Sequence, residues 1–271
     1  MEESLVSLRR QWSGSSIGRE CSLHQLAPYI GKLKTPIARD LILKYSRCGH
    51  VVIDPFSGSG VVPLESLLLG RGTIANDLSS YAAVLTRAKL FVPSSERVAA
   101  ANARKYIKRA KLLARRRNFR IEAPGWVRRF FHPKTLAETK ILADLLIRGR
   151  QWFLLASLLG ILHHQRPGFL SYPSSHLVPY LRTRKFPRHT YPSMYSYRDV
   201  EPRLVRKICR SFKRFQGFDR KLRRVFIQKN VYNLRVPYQA DIAVTSPPYM
   251  NALDYGRDIR LRRTSGTKSR T

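Results

Sequence analysis

The chain has 271 residues, 43% of them hydrophobic, and a formal net charge of +34; this is long enough to bury one large domain or two small ones and too apolar for general disorder. Cys21, Cys48 and Cys209 stand far apart with no Cys-x-x-Cys pair, which excludes a disulfide framework and offers no zinc ribbon. The longest apolar run, Trp152 to Leu162, falls short of the ~18 residues of a membrane span, and the start Met1-Glu2-Glu3 lacks a signal-peptide pattern, so a cytoplasmic protein without a membrane partner is expected.

Residues 1–20, rich in Ser, Gly and Arg, read as a flexible arm. A Pro-punctuated stretch then ends in a helix over Pro36–Tyr45. Val51-Val52-Ile53 is a short β-branched run of the kind buried in parallel sheets. It leads into Asp54-Pro55-Phe56-Ser57-Gly58-Ser59-Gly60. Val61 to Leu69 reads as a helix with Gly70 at its C-terminal cap. Thr73-Ile74-Ala75 is a second strand, ending at Asn76-Asp77, and Ser79 or Ser80 caps a helix running to about Leu90. This strand–helix–strand–helix order predicts a parallel sheet. A long helix is expected over Ser94–Arg117, two more over Lys134–Ile147 and Gln151–His164, and another over Val200–Phe215. Between Pro167 and Pro202 the density of Pro, Tyr, Ser and His predicts ordered loops. Further strands are expected at Val225–Ile227 and Ile242–Val244. The last runs into Thr245-Ser246-Pro247-Pro248-Tyr249.

The charge is concentrated. Residues 1–100 carry 12 basic and 8 acidic side chains, whereas residues 101–240 carry 33 and 6. Such a field is costly to fold against itself unless the partner is a polyanion. Arg outnumbers Lys 36 to 15, and its planar fork suits phosphates and guanine edges. A nucleic-acid partner is expected; the alternative is a solvated basic surface.

Two segments carry chemistry. In the first, small residues between a strand and a helix N-terminus let backbone approach a ligand. A phosphate loop needs Lys-Ser/Thr after its last Gly, but Val61-Val62 stand there, and the glycines are not spaced as in a dinucleotide fingerprint. Asp77, at the end of the next strand, is placed to accept hydrogen bonds from a ribose, so a nucleoside without phosphates fits. The plain alternative is a Gly-rich turn. In the second segment two prolines fix the backbone and remove donors. Carbonyls and the Ser246 hydroxyl are left as acceptors, and Tyr249 can stack on a flat base. That set suits an exocyclic amine; the plain alternative is a rigid turn with a capping Ser.

Together the two segments resemble the motifs of the DNA amino-methyltransferases that modify cytosine N4 or adenine N6. Tyr29-Ile30-Gly31-Lys32 is similar to the family's segment over the methionine end of the cofactor, and Asn76-Asp77 with Ala82-Ala83-Val84-Leu85 to its ribose-binding turn and helix. The resemblance covers roughly residues 23–93 and 225–258. It implies a doubly wound α/β sheet of the class I methyltransferase, Rossmann-like type, interrupted by a large basic, mainly helical insertion. The organisation implied is an N-terminal arm (1–22), an S-adenosyl-L-methionine-binding part (23–93), an insertion for target recognition (94–224), a return to the sheet (225–258) and a polar basic tail (259–271). Lys32, Asp54, Phe56, Ser57, Gly58, Gly60, Asp77 and Asn230 are the implied cofactor contacts. Ser246, Pro247, Pro248 and Tyr249 are the implied holders of the amine.

The implied reaction is direct, in-line attack of the amine on the sulfonium methyl, after the base is flipped from the duplex. Binding supplies proximity and orientation. The implied setting is restriction–modification or an orphan modification enzyme. Val61 stands where the family has Thr, and Asn230 where it has an acidic residue. Without a Pro-Cys dipeptide, C5-cytosine chemistry through a thiolate has no support. His163, His164, His176 and His189 show no zinc-ligand spacing, so no metal is expected.

The family's sheet continues beyond the strand near Ile242, whereas residues 260–271 are polar and basic. The expectation is therefore a fold incomplete at the C-terminus through truncation, frameshift or division into a second chain, with the isolated chain poorly soluble and nearly inactive. Two other functions stay open: a tRNA guanine-N2-type RNA methyltransferase, and a non-catalytic nucleic-acid-binding remnant.

Overall fold

Four short strands define the centre of the first of two units: β1 (Val51–Asp54), β2 (Gly72–Asn76), β3 (Arg224–Ile227) and β4 (Ile242–Ala243). The computed structural model describes residues 12, 20–116, 123–164, 169–172 and 180–247. The described residues form two compact units, one of residues 12, 20–25, 29–92 and 214–247, the other of residues 26–28, 93–116, 123–164, 169–172 and 180–213.

In the first unit the strands form one sheet in the order β3-β2-β1-β4, and every pairing is parallel. This is an α/β architecture, and all four strands fall where the β-branched runs predict them. The register sets Val52 beside Thr73 and Ile242, and Asp54 beside Ala75. Paired residues of neighbouring strands share a face, and every second residue returns to it. Val52, Ala75 and Val244 therefore face one layer of helices. Val52 and Val244 pack with Ala38 and Ile42 of the Thr35–Tyr45 helix and with Val61 and Val62 of the Val61–Leu68 helix. Further along the same face, Ala75 packs with Leu67, with Leu90 of the Ser80–Leu90 helix, and with Phe218, Leu222 and Phe226.

Local chemistry explains the boundaries. Ser79 Oγ accepts from Ala82 N at the start of the Ser80–Leu90 helix, the side-chain cap that Ser supplies well. Gly70 follows the Val61–Leu68 helix with φ +81°, the left-handed stop expected of glycine. Of the expected arm, Glu20 and Ser22 are buried and Trp12 Nε1 donates to Asp40 Oδ2 at 2.9 Å; residues 1–11 and 13–19 lie outside the described residues.

The second unit is helical. The Glu96–Arg116 helix packs against Pro133–Arg148 and against Val200–Phe212, and the last of these also meets Trp152–Ile161. Ala99, Ala103, Ile107 and Ala110 recur at helical spacing and are buried, so small side chains let neighbouring axes approach. The polar face carries the charge; Lys111 pairs with Asp199 at 2.8 Å. Two helical turns go beyond the sequence reading: Gly125–Arg128 is new, and Tyr180–Lys185 corrects the expectation of loops alone between Pro167 and Pro202. Both are short, so a periodic pattern has no length in which to show. Among the described residues no helix is long and apolar enough to cross a membrane.

Candidate functional site

The chain winds from β1 outward to β2 and β3, then reverses to place β4 on the other side of β1. Open parallel sheets bind ligands in the crevice beyond the strand C-termini at such a reversal. Both segments singled out from the sequence follow the two strands that flank it. The Asp54–Gly60 turn leaves β1, and Thr245-Ser246-Pro247 leaves β4.

One hydrogen bond ties the two together. Thr245 Oγ1 donates to Asp54 Oδ1 at 2.7 Å, and the same carboxylate oxygen accepts from Phe56 N at 3.2 Å. Asp54 is 3% exposed. Burial pushes its carboxyl up to about 7, against the opposing pull of the Thr245 and Phe56 bonds, with Asp77 nearby raising it further. Asp54 therefore closes the base of the turn onto the β4 loop.

Asp77, at the end of β2, anchors the turn from the other side. Its Oδ2 accepts from Gly58 N at 2.8 Å and its Oδ1 from Ser79 N at 2.8 Å. Partial burial raises its pKa, while these N–H bonds pull the other way. The Leu78 backbone N–H also bonds this carboxylate; a carboxylate has about four lone-pair sites, so about one remains for a ligand. Ser57 is buried, its N donating to Asn76 O at 2.9 Å. Gly58 and Gly60 have φ +50° and +76°, a region where side chains are strained. A Cβ on Gly60 would lie 2.9 Å from Thr86 Oγ1, and one on Gly58 would lie 3.3 Å from the Tyr29 ring. Tyr29 in turn stacks on Tyr81, with centroids 6.0 Å apart. The segment Tyr29–Lys32 thus reaches the Gly-rich turn through Tyr29.

Lys32 and Asn230, also implied cofactor contacts, each have a partner within the chain. Lys32 Nζ donates to His24 O at 3.1 Å and lies 3.5 Å from Glu20 Oε1. Asn230 is exposed and caps a short turn, its Oδ1 accepting from Tyr232 N at 3.2 Å. Phe56 and Ser246 are half-buried and Pro247 is exposed. Pro248 and Tyr249 lie outside the described residues.

A buried polar cluster that the sequence reading did not assign holds this end of the unit together. His24 Nε2 and Glu65 Oε1 are 2.8 Å apart, and Arg39 Nη1 lies 3.2 Å from Glu65 Oε2. Thr35 Oγ1 donates to Glu20 Oε2 at 2.6 Å. Burial works against the Glu20 charge, but the Thr35 bond and Lys32 hold its carboxyl below the ordinary value. Burial lowers His24 to about 4, despite the opposing Glu65 bond. Lys89 is fully buried and lowered to about 7 by burial, with the Lys32 charge adding to the shift. The available signal was Glu65 itself, a lone charge inside Val61-Val62-Pro63-Leu64-Glu65-Ser66-Leu67. A charge on an otherwise buried helix needs a partner.

In the second unit His163 Nδ1 and Ser171 Oγ are 2.8 Å apart, and His164 stacks on Phe169. These histidines serve packing. His176 lies outside the described residues, among which no group of three His, Cys, Asp or Glu is arranged to hold a metal.

Comparison with known proteins finds a methyltransferase. The Type II methyltransferase M.MjaII of Methanocaldococcus jannaschii is 28% identical over 68 residues, 25% of this chain. Those residues span 13% of that protein's length. No family model matches the chain, and no solved structure matches it. The likeness supports kinship with methyltransferases at that coarse level.

Proposed function

We propose that the chain transfers a methyl group from S-adenosyl-L-methionine to an exocyclic amine of DNA, cytosine N4 or adenine N6. The observation that carries this reading is the Asp54–Thr245 bond. It joins the Gly-rich turn to the Ser246-Pro247 loop at the reversal point of a parallel sheet. The residues fit a nucleoside cofactor: the turn lacks side chains at Gly58 and Gly60, and Asp77 keeps acceptor capacity. The buried Ser59 hydroxyl beside them has no hydrogen-bond partner among the described residues. When bound, the cofactor supplies an electrophilic sulfonium methyl.

The chain's own residues do the rest. Asp77 would accept from a ribose hydroxyl and Phe56 would cover the purine. Ser246 Oγ and the Pro247 carbonyl would accept the N–H bonds of the target amine and turn its lone pair outward. Pro248 and Tyr249 would complete that acceptor loop, Tyr249 by stacking on the flipped base. Orientation of this kind is the main catalytic contribution available without a covalent intermediate. The basic helical unit would hold the phosphates.

The test is transfer of labelled methyl groups to duplex DNA, followed by nucleoside analysis. N4-methylcytosine or N6-methyladenine is the expected product. Label in RNA alone would overturn the DNA assignment, and binding without turnover would leave a cofactor-binding remnant. Asp77→Ala should weaken S-adenosylmethionine binding by about 1.5–3 kcal/mol in calorimetry. Equal affinities would remove Asp77 from the cofactor site.

A further inference from the structure

The loop that leaves the C-terminal end of β3 holds an aromatic ring in water. Tyr232 is 92% exposed, the most exposed of the large hydrophobic side chains among the described residues, and its side chain makes no hydrogen bond or ring contact among them. Hydrating an aromatic ring is unfavourable, so a loop free to move would turn it inward. This loop is held. Lys229 N donates to Asn76 Oδ1 at 3.1 Å, and Asn230 Oδ1 accepts from Tyr232 N at 3.2 Å. Asn233 N and Leu234 N donate to Asn230 O and Val231 O and close the single turn Val231–Asn233. Residues three apart share a side of so tight a turn. Val231 and Leu234 are half-buried and seat it, while Lys229, Tyr232 and Arg235 are exposed. The setting is basic: the charged residues between Asp219 and Asp241 are Arg220, Lys221, Arg223, Arg224, Lys229 and Arg235. Lys229 and Arg235, on either side of the ring in sequence, have no ion pair among the described residues. A fixed ring between free cations, with no carboxylate near it in sequence, complements a polyanion that carries flat groups.

We infer that the β3 loop is a nucleic-acid contact in which the Tyr232 ring stacks on an unpaired base and Lys229 and Arg235 take the adjoining phosphates. An aromatic ring accepts any base by stacking, because every base has a π-face, and the two cations neutralise the backbone on either side of it. The loop stands at the same end of the sheet as the Gly-rich turn and the Ser246-Pro247 loop, since all three follow the C-termini of parallel strands. β3 and β4 are three strand spacings apart, about 14 Å, so Tyr232 would hold a base that flanks the modified one. The inference rests on the nucleic-acid part of the proposed function and does not require methyl transfer.

The experiment measures binding of a single-stranded thymidine oligonucleotide to the full chain by fluorescence anisotropy over a range of salt concentrations. Tyr232→Ala should weaken binding roughly fivefold to a hundredfold, the loss expected for one stacked base, and leave the slope of log affinity against log salt unchanged. Tyr232→Phe keeps the ring and should bind like the wild type. Lys229→Ala/Arg235→Ala should make the slope shallower by roughly 1.4, at about 0.7 per phosphate of a single strand. Tyr45→Ala, which removes a ring 58% exposed before the start of β1, should change neither. An abasic strand of the same length should not distinguish Tyr232→Ala from the wild type. Unchanged binding by Tyr232→Ala, or an equal loss in Tyr232→Phe, would overturn the stacking contact, and an unchanged slope in the double variant would overturn the phosphate contacts. Calorimetry with S-adenosylmethionine tests the other flat group expected in that crevice: equal affinities of the wild type and Tyr232→Ala are expected, and a loss would reassign the ring to the cofactor's adenine. Circular dichroism of each variant verifies the fold. Absence of methyl transfer with these differences intact would count against the proposed function alone. Failure of the wild type to bind any oligonucleotide would remove both.

Discussion

Asp54 should make the stability of the sheet unit depend on pH in a direction opposite to most carboxylates. Its pKa is raised from 3.8 to about 7 because burial disfavours the charged form more than the Thr245 and Phe56 bonds favour it. Below about pH 4 the folded and unfolded states are both protonated and nothing is lost. Between about 4 and 7 the unfolded chain releases the proton and the folded chain keeps it, so stability falls as pH rises. About three pH units at about 1.4 kcal/mol each give an upper bound of about 4 kcal/mol. Asp54→Asn keeps an oxygen that can accept from Thr245 and Phe56 but cannot ionise. The variant should match the wild type near pH 4 and exceed it progressively toward pH 8, by up to about 4 kcal/mol. Urea unfolding of both proteins across that range reads the difference and cancels the charge effects they share. A difference that is flat with pH would refute the reasoning, because Asp54 would then be ionised throughout. A variant less stable at pH 8 would show that the charge itself holds the loops together.

Other perturbations test neighbouring parts of the unit. His24, lowered from 6.5 to about 4 chiefly by burial, contributes stability that is present above about pH 6.5 and lost as pH falls toward 4, because the unfolded chain takes up the proton first. His24→Gln should therefore be at its greatest disadvantage at neutral pH and recover up to about 3 kcal/mol of it on acidification; a constant disadvantage in the same urea series would count against a neutral buried imidazole. Gly60→Ala forces a side chain into φ +76° and within 2.9 Å of Thr86 Oγ1, so thermal unfolding should show a loss of about 1–3 kcal/mol. Adding Thr86→Ala removes the Oγ1 clash but leaves the Thr86 Cα at 3.0 Å, so it should recover only part of the loss, and full recovery would mean that the backbone conformation costs nothing. Affinity for DNA should fall linearly on a log–log plot against salt, with a slope of about −0.9 per phosphate neutralised, and salt-independent binding would contradict a role for the basic unit in holding phosphates.

Local pattern made the strands legible, and the same dependence on local pattern explains what stayed hidden. Val51-Val52-Ile53 and Thr73-Ile74-Ala75 announce themselves because a strand buried in a parallel sheet is apolar without interruption, and both form where expected. Ile242–Ala243 could be placed beside β1 only through the resemblance, since pairing partners leave no trace in a single sequence. Helices long enough to show a period, such as Glu96–Arg116, end within a few residues of their expected limits. Gly125–Arg128 has too few residues to show one.

The site divides in the same way. Gly58 and Gly60 were legible because their backbone geometry demands glycine whatever the fold around them. Tertiary contact decides the roles of Lys32 and Asp54, and the sequence carries no record of it. Lys32 is engaged by Glu20 and by the His24 carbonyl. Asp54 meets Thr245, which stands 191 residues later. The Glu65 cluster lay between these extremes. Its helix shows that the position is buried, and the cost of burying a bare charge requires partners. Nothing in the sequence says that the partners are His24 and Arg39, which lie 41 and 26 residues earlier. A charged residue inside an apolar helix therefore predicts that a network exists, while only the fold supplies its members. For Glu65 those members include His24, which hydrogen-bonds the carboxylate as a neutral imidazole, and the Arg39 guanidinium, which supplies the opposite charge.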